Sequence, residues 1–177
     1  MVLSALALRG AVPQVFRDLV AKLEETLGGK VVHEGGRFYV MSPTKGKLEA
    51  SLLSEGMRKI ATVLRLLQNG SLRERGLLCW DEPEANLNPK LTFLVAEMLV
   101  TLAKNGVQVA LATHDYLLTE TIALLQREPG GPAVRYFAFV RRGEAVEVFG
   151  ADDLASLPEN PIRAEYLAHY DRMRAAE

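Results

Sequence analysis

Leu77-Leu78-Cys79-Trp80-Asp81-Glu82 and Val107-Gln108-Val109-Ala110-Leu111-Ala112-Thr113-His114-Asp115 decide the fold of this chain. Each is an apolar run that stops on chemistry-bearing side chains. The first ends on two adjacent carboxylates, the second on Thr113-His114-Asp115. Leu77 to Trp80 shows no polar alternation, which predicts a strand apolar on both faces, inside a parallel sheet covered by helices. Cys79 is accordingly expected in the core. Between the two runs, Asn88-Pro89 supplies an N-cap followed by proline at the first helical position. Leu91, Leu94, Val95, Met98 and Leu102 then recur at helical spacing as far as Lys104, and Asn105-Gly106 closes the helix. Strand, helix and strand make a βαβ unit, whose sheet is parallel and whose crossover is right-handed. A further helix runs from Asp115 to about Gln126.

Outward from this unit, Ser54 is a plausible N-cap for a helix to about Gln68, with Met57, Ile60, Ala61, Leu64 and Leu67 as its buried stripe. Pro13 to Leu27 has the spacing of an amphipathic helix stopped by Gly28-Gly29. Lys30 to His33 and Arg37 to Met41 are expected as short strands around Glu34-Gly35-Gly36, with another short strand from Lys47 to Ala50. Downstream, Arg135 to Val140 and Ala145 to Phe149 form a closing hairpin around Arg142-Gly143. A helical turn over Leu154 to Leu157 and a last helix from Ile162 to Met173 complete the reading. No internal repeat or low-complexity linker is present.

Composition narrows the function classes. A chain of 177 residues, 49% apolar, suits one ordinary domain and is too apolar for disorder. With 21 basic against 22 acidic residues, no block of like charge marks a tail or a strong nucleic-acid surface. Cys79 is the single cysteine, so no intramolecular disulfide can form, and a reducing compartment is favoured. Val2 to Leu8 is too short to span a membrane and lacks the basic start of a signal peptide. The expected location is the cytoplasm. No Cys/His cluster suggests zinc.

Ligands of open α/β sheets sit beyond the carboxyl ends of the strands. Asp81 and His114 are both expected there. A hard divalent ion such as magnesium takes oxygen ligands and keeps its own waters, so Asp81 suits it directly or through water. Glu82, one residue on, leaves the strand in another direction and can accept a proton from an attacking water. His114 can donate to a terminal phosphate oxygen or position that water. Ser54-Glu55-Gly56 adds a hydroxyl and free amides at a helix N-terminus, which suits an anion, and Gly56 permits close backbone approach. Arg58 and Lys59 could meet phosphate or nucleic acid, but a solvated helix face is the expectation for them.

These pieces resemble the ATP-binding cassette ATPases, and more closely the soluble branch akin to SMC, RecF-like and OLD-like ATPases. Leu77 to Glu82, followed by Pro83, is similar to Walker B, and the resemblance implies Asp81 as the magnesium-associated acid and Glu82 as the catalytic base. Glu84-Ala85-Asn86-Leu87-Asn88-Pro89 is similar to the D-loop region, with Asn86 at a nucleotide-facing position. Leu53-Ser54-Glu55-Gly56-Met57-Arg58 resembles the cassette signature, with Glu55 in place of its usual first glycine. His114 resembles the switch histidine. The similarity covers Glu49 to about Leu125. It implies an α/β fold, a partial P-loop NTPase with a mainly parallel sheet flanked by helices and a C-terminal hairpin. One incomplete domain over 1–177 follows, divided into a helical and signature portion (1–70), a sheet portion (71–150) and a C-terminal helix (151–177). ATP and Mg2+ are the implied cofactors. Members pair so that the signature of one subunit completes the nucleotide site of the other.

The phosphate-cradling motif G-x-x-x-x-G-K-[ST] occurs nowhere in these residues. Gly28-Gly29-Lys30 lacks the spacing and the hydroxyl, and Gly46-Lys47 is followed by Leu48. Without that lysine and backbone nest the chain is expected to bind ATP poorly and to hydrolyse little of it alone. Three explanations stand open: a fragment, a truncated gene, or a first half supplied by another polypeptide. Each leaves core surface uncovered, so self-association or a P-loop-bearing segment is the expected partner. Nucleic acid enters as a partner by family likeness alone, and no membrane is expected. Two functions compete, an ATPase part active only with a P-loop supplied, and a non-catalytic dimerisation or binding module that kept the fold.

Overall fold

The computed structural model describes residues 12–176. The Val2 to Leu8 stretch lies outside them. A single 3-10 turn (Gln14–Phe16) leads into α1 (Arg17–Leu27), which Gly28 ends in the left-handed conformation at φ 70°. Three short strands follow, β1 (Lys30–Glu34), β2 (Arg37–Ser42) and β3 (Gly46–Glu49), joined as an antiparallel meander. Helix α2 (Glu55–Gln68) starts at Ser54, whose hydroxyl accepts from the Met57 amide at 3.4 Å. Its apolar stripe packs Ile60, Leu64 and Leu67 out of solvent against Leu19, Leu23 and Leu27 of α1. The expected elements of this half therefore form where periodicity and capping chemistry put them.

The βαβ unit is β4 (Leu77–Asp81), α3 (Pro89–Lys104) and β5 (Gln108–Ala112). The strands pair in parallel, with Asp81 opposite Ala112. Asn88 caps α3 by accepting from the Leu91 amide at 3.0 Å, with Pro89 at its first position. Asp115 caps α4 (Tyr116–Gln126) through the Leu118 amide at 2.6 Å. Met98 and Leu102 of α3 and Leu118 of α4 are fully buried and join the α2 stripe in one continuous core.

Two expectations are corrected here. Among the described residues, β4 and β5 are covered on one face only. Leu78, Trp80, Val109 and Leu111 pack on the core, while Leu77, Cys79, Gln108, Ala110 and Ala112 alternate with them and face outward. Cys79 is thus exposed rather than a core residue. The physical reason is the period of two: without a layer on its second side, a strand alternates in burial however apolar its sequence.

Among the described residues, the hairpin β6 (Tyr136–Arg142) and β7 (Ala145–Ala151) pairs only with itself, and β4–β5 is likewise a two-stranded sheet. The hairpin is moored to the end of α4. The Tyr136 hydroxyl donates to Gln126 Oε1 (2.8 Å), Gln126 Nε2 donates to the Asp152 carbonyl (2.7 Å), and Arg127 pairs with Asp153 (2.8 Å). Its outward face carries Phe137, Phe139, Val146 and Val148, all exposed. Helix α5 (Pro161–Arg174) lies against α4, where the Tyr116 and Tyr166 rings stack with centroids 3.8 Å apart. No helix among the described residues is long and apolar enough to cross a membrane.

Candidate functional site

The chemistry-bearing residues gather where β4 and β5 end. Because the strands are parallel and in register, Asp81, Glu82 and the Thr113-His114-Asp115 turn leave the same edge of the sheet. The Glu82 amide extends the pairing by one step, donating to the Ala112 carbonyl at 2.9 Å. There the chain turns: Glu82 takes φ 47°, a left-handed conformation costly for any residue with a Cβ. The turn brings Glu82 Oε1 to 3.1 Å from His114 Nδ1. The carboxylate thus lies beside Nδ1, and the other ring nitrogen, Nε2, is left for a second partner. Both side chains are open to solvent, as is Asp81.

Beneath this exposed pair runs a buried one. Glu84 is buried, and its Oε1 accepts from the Thr113 hydroxyl at 2.6 Å, while its Oε2 finds no partner. The same hydroxyl accepts from the Asp115 amide at 3.0 Å. The two loops that carry Glu82 and His114 are therefore tied below the surface as well as at it. Sequence reasoning set Glu84 in a motif without a role. No sequence signal marks it: its burial shows only in the fold, beside the equally buried Pro83.

The N-terminus of α2 joins the site from a third direction. Ser54 is spent on its cap. Glu55 Oε2 accepts from Asn86 Nδ2 at 2.8 Å, so this acid faces the loop after β4. Gly56 is buried; a Cβ placed on it would lie 2.9 Å from the Asn86 carbonyl oxygen and would collide with the Leu87 side chain. The close approach that Gly56 permits in this structure is to that loop. Lys59 departs from the solvated helix face expected for it: its ammonium donates to the carbonyls of Glu82 (2.8 Å) and Ala85 (3.1 Å). Asn86, at φ 65°, sits where asparagine tolerates a left-handed backbone better than most residues. The structure thus brings Glu82 to His114 and Glu55 and Gly56 to Asn86, with Asp81 at the strand end beside them.

The donor set tests the implied ion. Asp81 is a hard oxygen ligand at an open strand end, which fits magnesium, an ion that fills most of its sphere with water and phosphate oxygens. No group of three or more His, Cys, Asp or Glu among the described residues could enclose a metal alone.

A family model described as "AAA domain, putative AbiEii toxin, Type IV TA system" matches residues 7–120. That span takes in β4, β5, α2 and every candidate site residue. Among solved structures, one from work on ATP-driven dimerization and DNA-stimulated activation of SMC ATPases is 12% identical with a TM-score of 0.54, covering 89% of this chain and 96% of that one. An Smc head bound to the C-terminal winged-helix domain of ScpA is 14% identical with a TM-score of 0.61, over 82% of this chain and 44% of that one. An Smc head with an extended coiled coil, bound to the C-terminal domain of ScpA from Pyrococcus furiosus, is 12% identical with a TM-score of 0.57, over 93% and 38%. The chain thus spans less than half the length of two of these three, and at such identities the likeness is one of fold. No curated protein matches the chain.

Proposed function

The chain belongs to this AAA-domain family of P-loop ATPases, and from that premise we propose that it is the Walker B and switch-histidine part of an ATP-hydrolysing protein, inactive until a P-loop-bearing segment is docked on it. The observation that carries the reading is the 3.1 Å approach of Glu82 Oε1 to His114 Nδ1 at the carboxyl end of a parallel strand pair. Glu82 is the base that accepts a proton from water, and His114 holds that carboxylate through Nδ1 while Nε2 faces the ligand. Asp81 contributes one oxygen to a magnesium ion, whose bound chemistry is to neutralise phosphate charge. Ser54, Glu55, Gly56 and Asn86 form the surface turned to a nucleotide held by a paired subunit, with Glu55 drawn aside by Asn86.

The P-loop motif is not among these 177 residues, so the phosphate grip comes from another segment or chain. The apolar outer face of β4–β5, with Leu77 61% exposed, is the surface that segment would cover. The same face favours a second reading, a non-catalytic dimerisation or binding module. The Smc heads bound to ScpA and the DNA-stimulated SMC ATPases make protein and DNA partners reasonable additions to the assay. A cytoplasmic location belongs to this proposal.

The test is direct. The pure chain is expected to show no saturable ATP binding in the micromolar range; tight one-to-one binding would reject this. With a P-loop-bearing segment supplied, hydrolysis appears, and Glu82→Gln lowers its turnover on the order of 10²-fold or more while leaving nucleotide binding in place. Unchanged turnover removes Glu82 from the base role, and no hydrolysis under any pairing leaves the binding-module reading standing.

A further inference from the structure

We infer that Lys59 is a positioning residue for Glu82, and that it makes the first turn of α2 and the loop after β4 one mechanical unit. The inference rests on the ATPase reading for its consequence in turnover, and on geometry alone for the clamp itself. Positions 55, 56 and 59 lie on one side of α2, a turn apart. All three engage the same loop: Glu55 through Asn86 Nδ2, Gly56 by pressing on the Asn86 carbonyl and Leu87, and Lys59 through the Glu82 and Ala85 carbonyls.

The loop needs such support because two of its residues, Glu82 and Asn86, sit at positive φ. Glutamate has no local hydrogen bond that favours this region, so the surroundings must over-determine it. Its amide is held by Ala112 across the sheet, and its carbonyl is held by Lys59 from the helix. Fixing both ends of one residue fixes the direction in which its side chain leaves the backbone. That direction is the one that meets His114. A lysine spending two of its three donors on main-chain carbonyls of a strained turn has a task beyond solvation. It follows that a displacement of the α2 N-terminus, where a paired subunit would bear, moves Glu82 relative to His114.

The experiment is hydrogen exchange on the full chain, comparing it with Lys59→Met and Lys59→Arg. The amides to follow are Glu82, Ala85 and Leu87, bonded to the carbonyls of Ala112, Glu82 and Glu84. Lys59→Met should speed exchange at Ala85 and Leu87 by about tenfold, with the α3 amides unchanged as the report of an intact fold. Lys59→Arg, which can still donate to carbonyls, should recover most of the protection. The His114 ring resonances should move in Lys59→Met and return in Lys59→Arg. Where a P-loop segment restores hydrolysis, Lys59→Met should lower kcat about tenfold at unchanged KM. Unchanged exchange at Ala85 and Leu87 overturns the inference, whatever the rate does. If the unaltered chain hydrolyses no ATP with any P-loop segment supplied, the ATPase reading fails, and the exchange result still decides the clamp.

Discussion

The two faces of the β4–β5 pair are built from the same five-residue strands and differ in everything that follows. One face, with Leu78, Trp80, Val109 and Leu111, lies on a core whose central side chains, Leu64, Met98 and Leu102, see no solvent. The other, with Leu77, Cys79 and Ala110, is open. The covered face holds the large apolar side chains, whereas the open one is mostly small or polar, with Gln108 and Ala112 beside these three, so that Leu77 is its one large apolar residue. The hairpin repeats the pattern: Tyr136, Ala138 and Val140 are half-buried, whereas Phe137 and Phe139 are exposed. An apolar strand face records the environment it was selected for. A solvated face is normally polar, so an apolar open one points to a layer contributed from elsewhere.

Substitution at matched leucines gives the largest contrast. Leu64→Ala on the covered side is expected to cost about 2–5 kcal/mol, from lost transfer energy and the cavity left in a close-packed site. Leu77→Ala on the open side should change stability by no more than about 0.5 kcal/mol. Urea midpoints of the two variants check this. Equal losses would mean that the outer face is covered in solution by something the chain itself provides.

Most of the fold was legible because its signals are local. Caps at Ser54, Asn88 and Asp115, proline at 89 and the glycine stop at 28 each act within a turn of backbone, and the elements begin and end beside them. Parallel pairing was legible from the length of the crossover. The environment of the second sheet face was not, because hydrophobicity reports what a surface prefers and says nothing of whether the preference is met in this chain. The site divides in the same way. Strand ends placed Asp81, Glu82 and His114, but the roles of Lys59 and Glu84 rest on contacts across 26 and 29 residues of sequence, with Ala85 and Thr113. No periodicity encodes those.

The covered face of the hairpin carries a titratable reporter. Burial, followed by the nearby charge of Asp153, pushes the Tyr136 hydroxyl up from 10.0 to about 12. The folded state therefore keeps its proton where the unfolded chain has lost it. Its contribution is whole below pH 10 and falls as pH rises from 10 to about 12. Allowing for partial solvent exposure, the loss is about 1 kcal/mol. Denaturant titrations at pH 9 and pH 11.5 should show this slope, and Tyr136→Phe should remove its share of it. An unchanged slope would mean that the inner face of the hairpin is as open as the outer.

The smallest effect on stability should accompany the clearest effect on association. Phe139 and Val148 stand opposite each other on the open face of the hairpin, 69% and 54% exposed. Replacing both with serine removes a cross-strand apolar pair worth roughly 0.2–1 kcal/mol, and the lost contact is offset by the gain in solvating a surface that was already wet. The unfolding midpoint should hardly move. If the open faces are sites awaiting a layer, copies of the native chain will cover them with one another, and sedimentation velocity should show a mean mass that rises with concentration. The double variant should flatten that rise, and adding Leu77→Ser on the other sheet should flatten it further. A native chain that stays monomeric at every concentration would break the comparison, because apolar faces that tolerate water are not faces waiting for a partner.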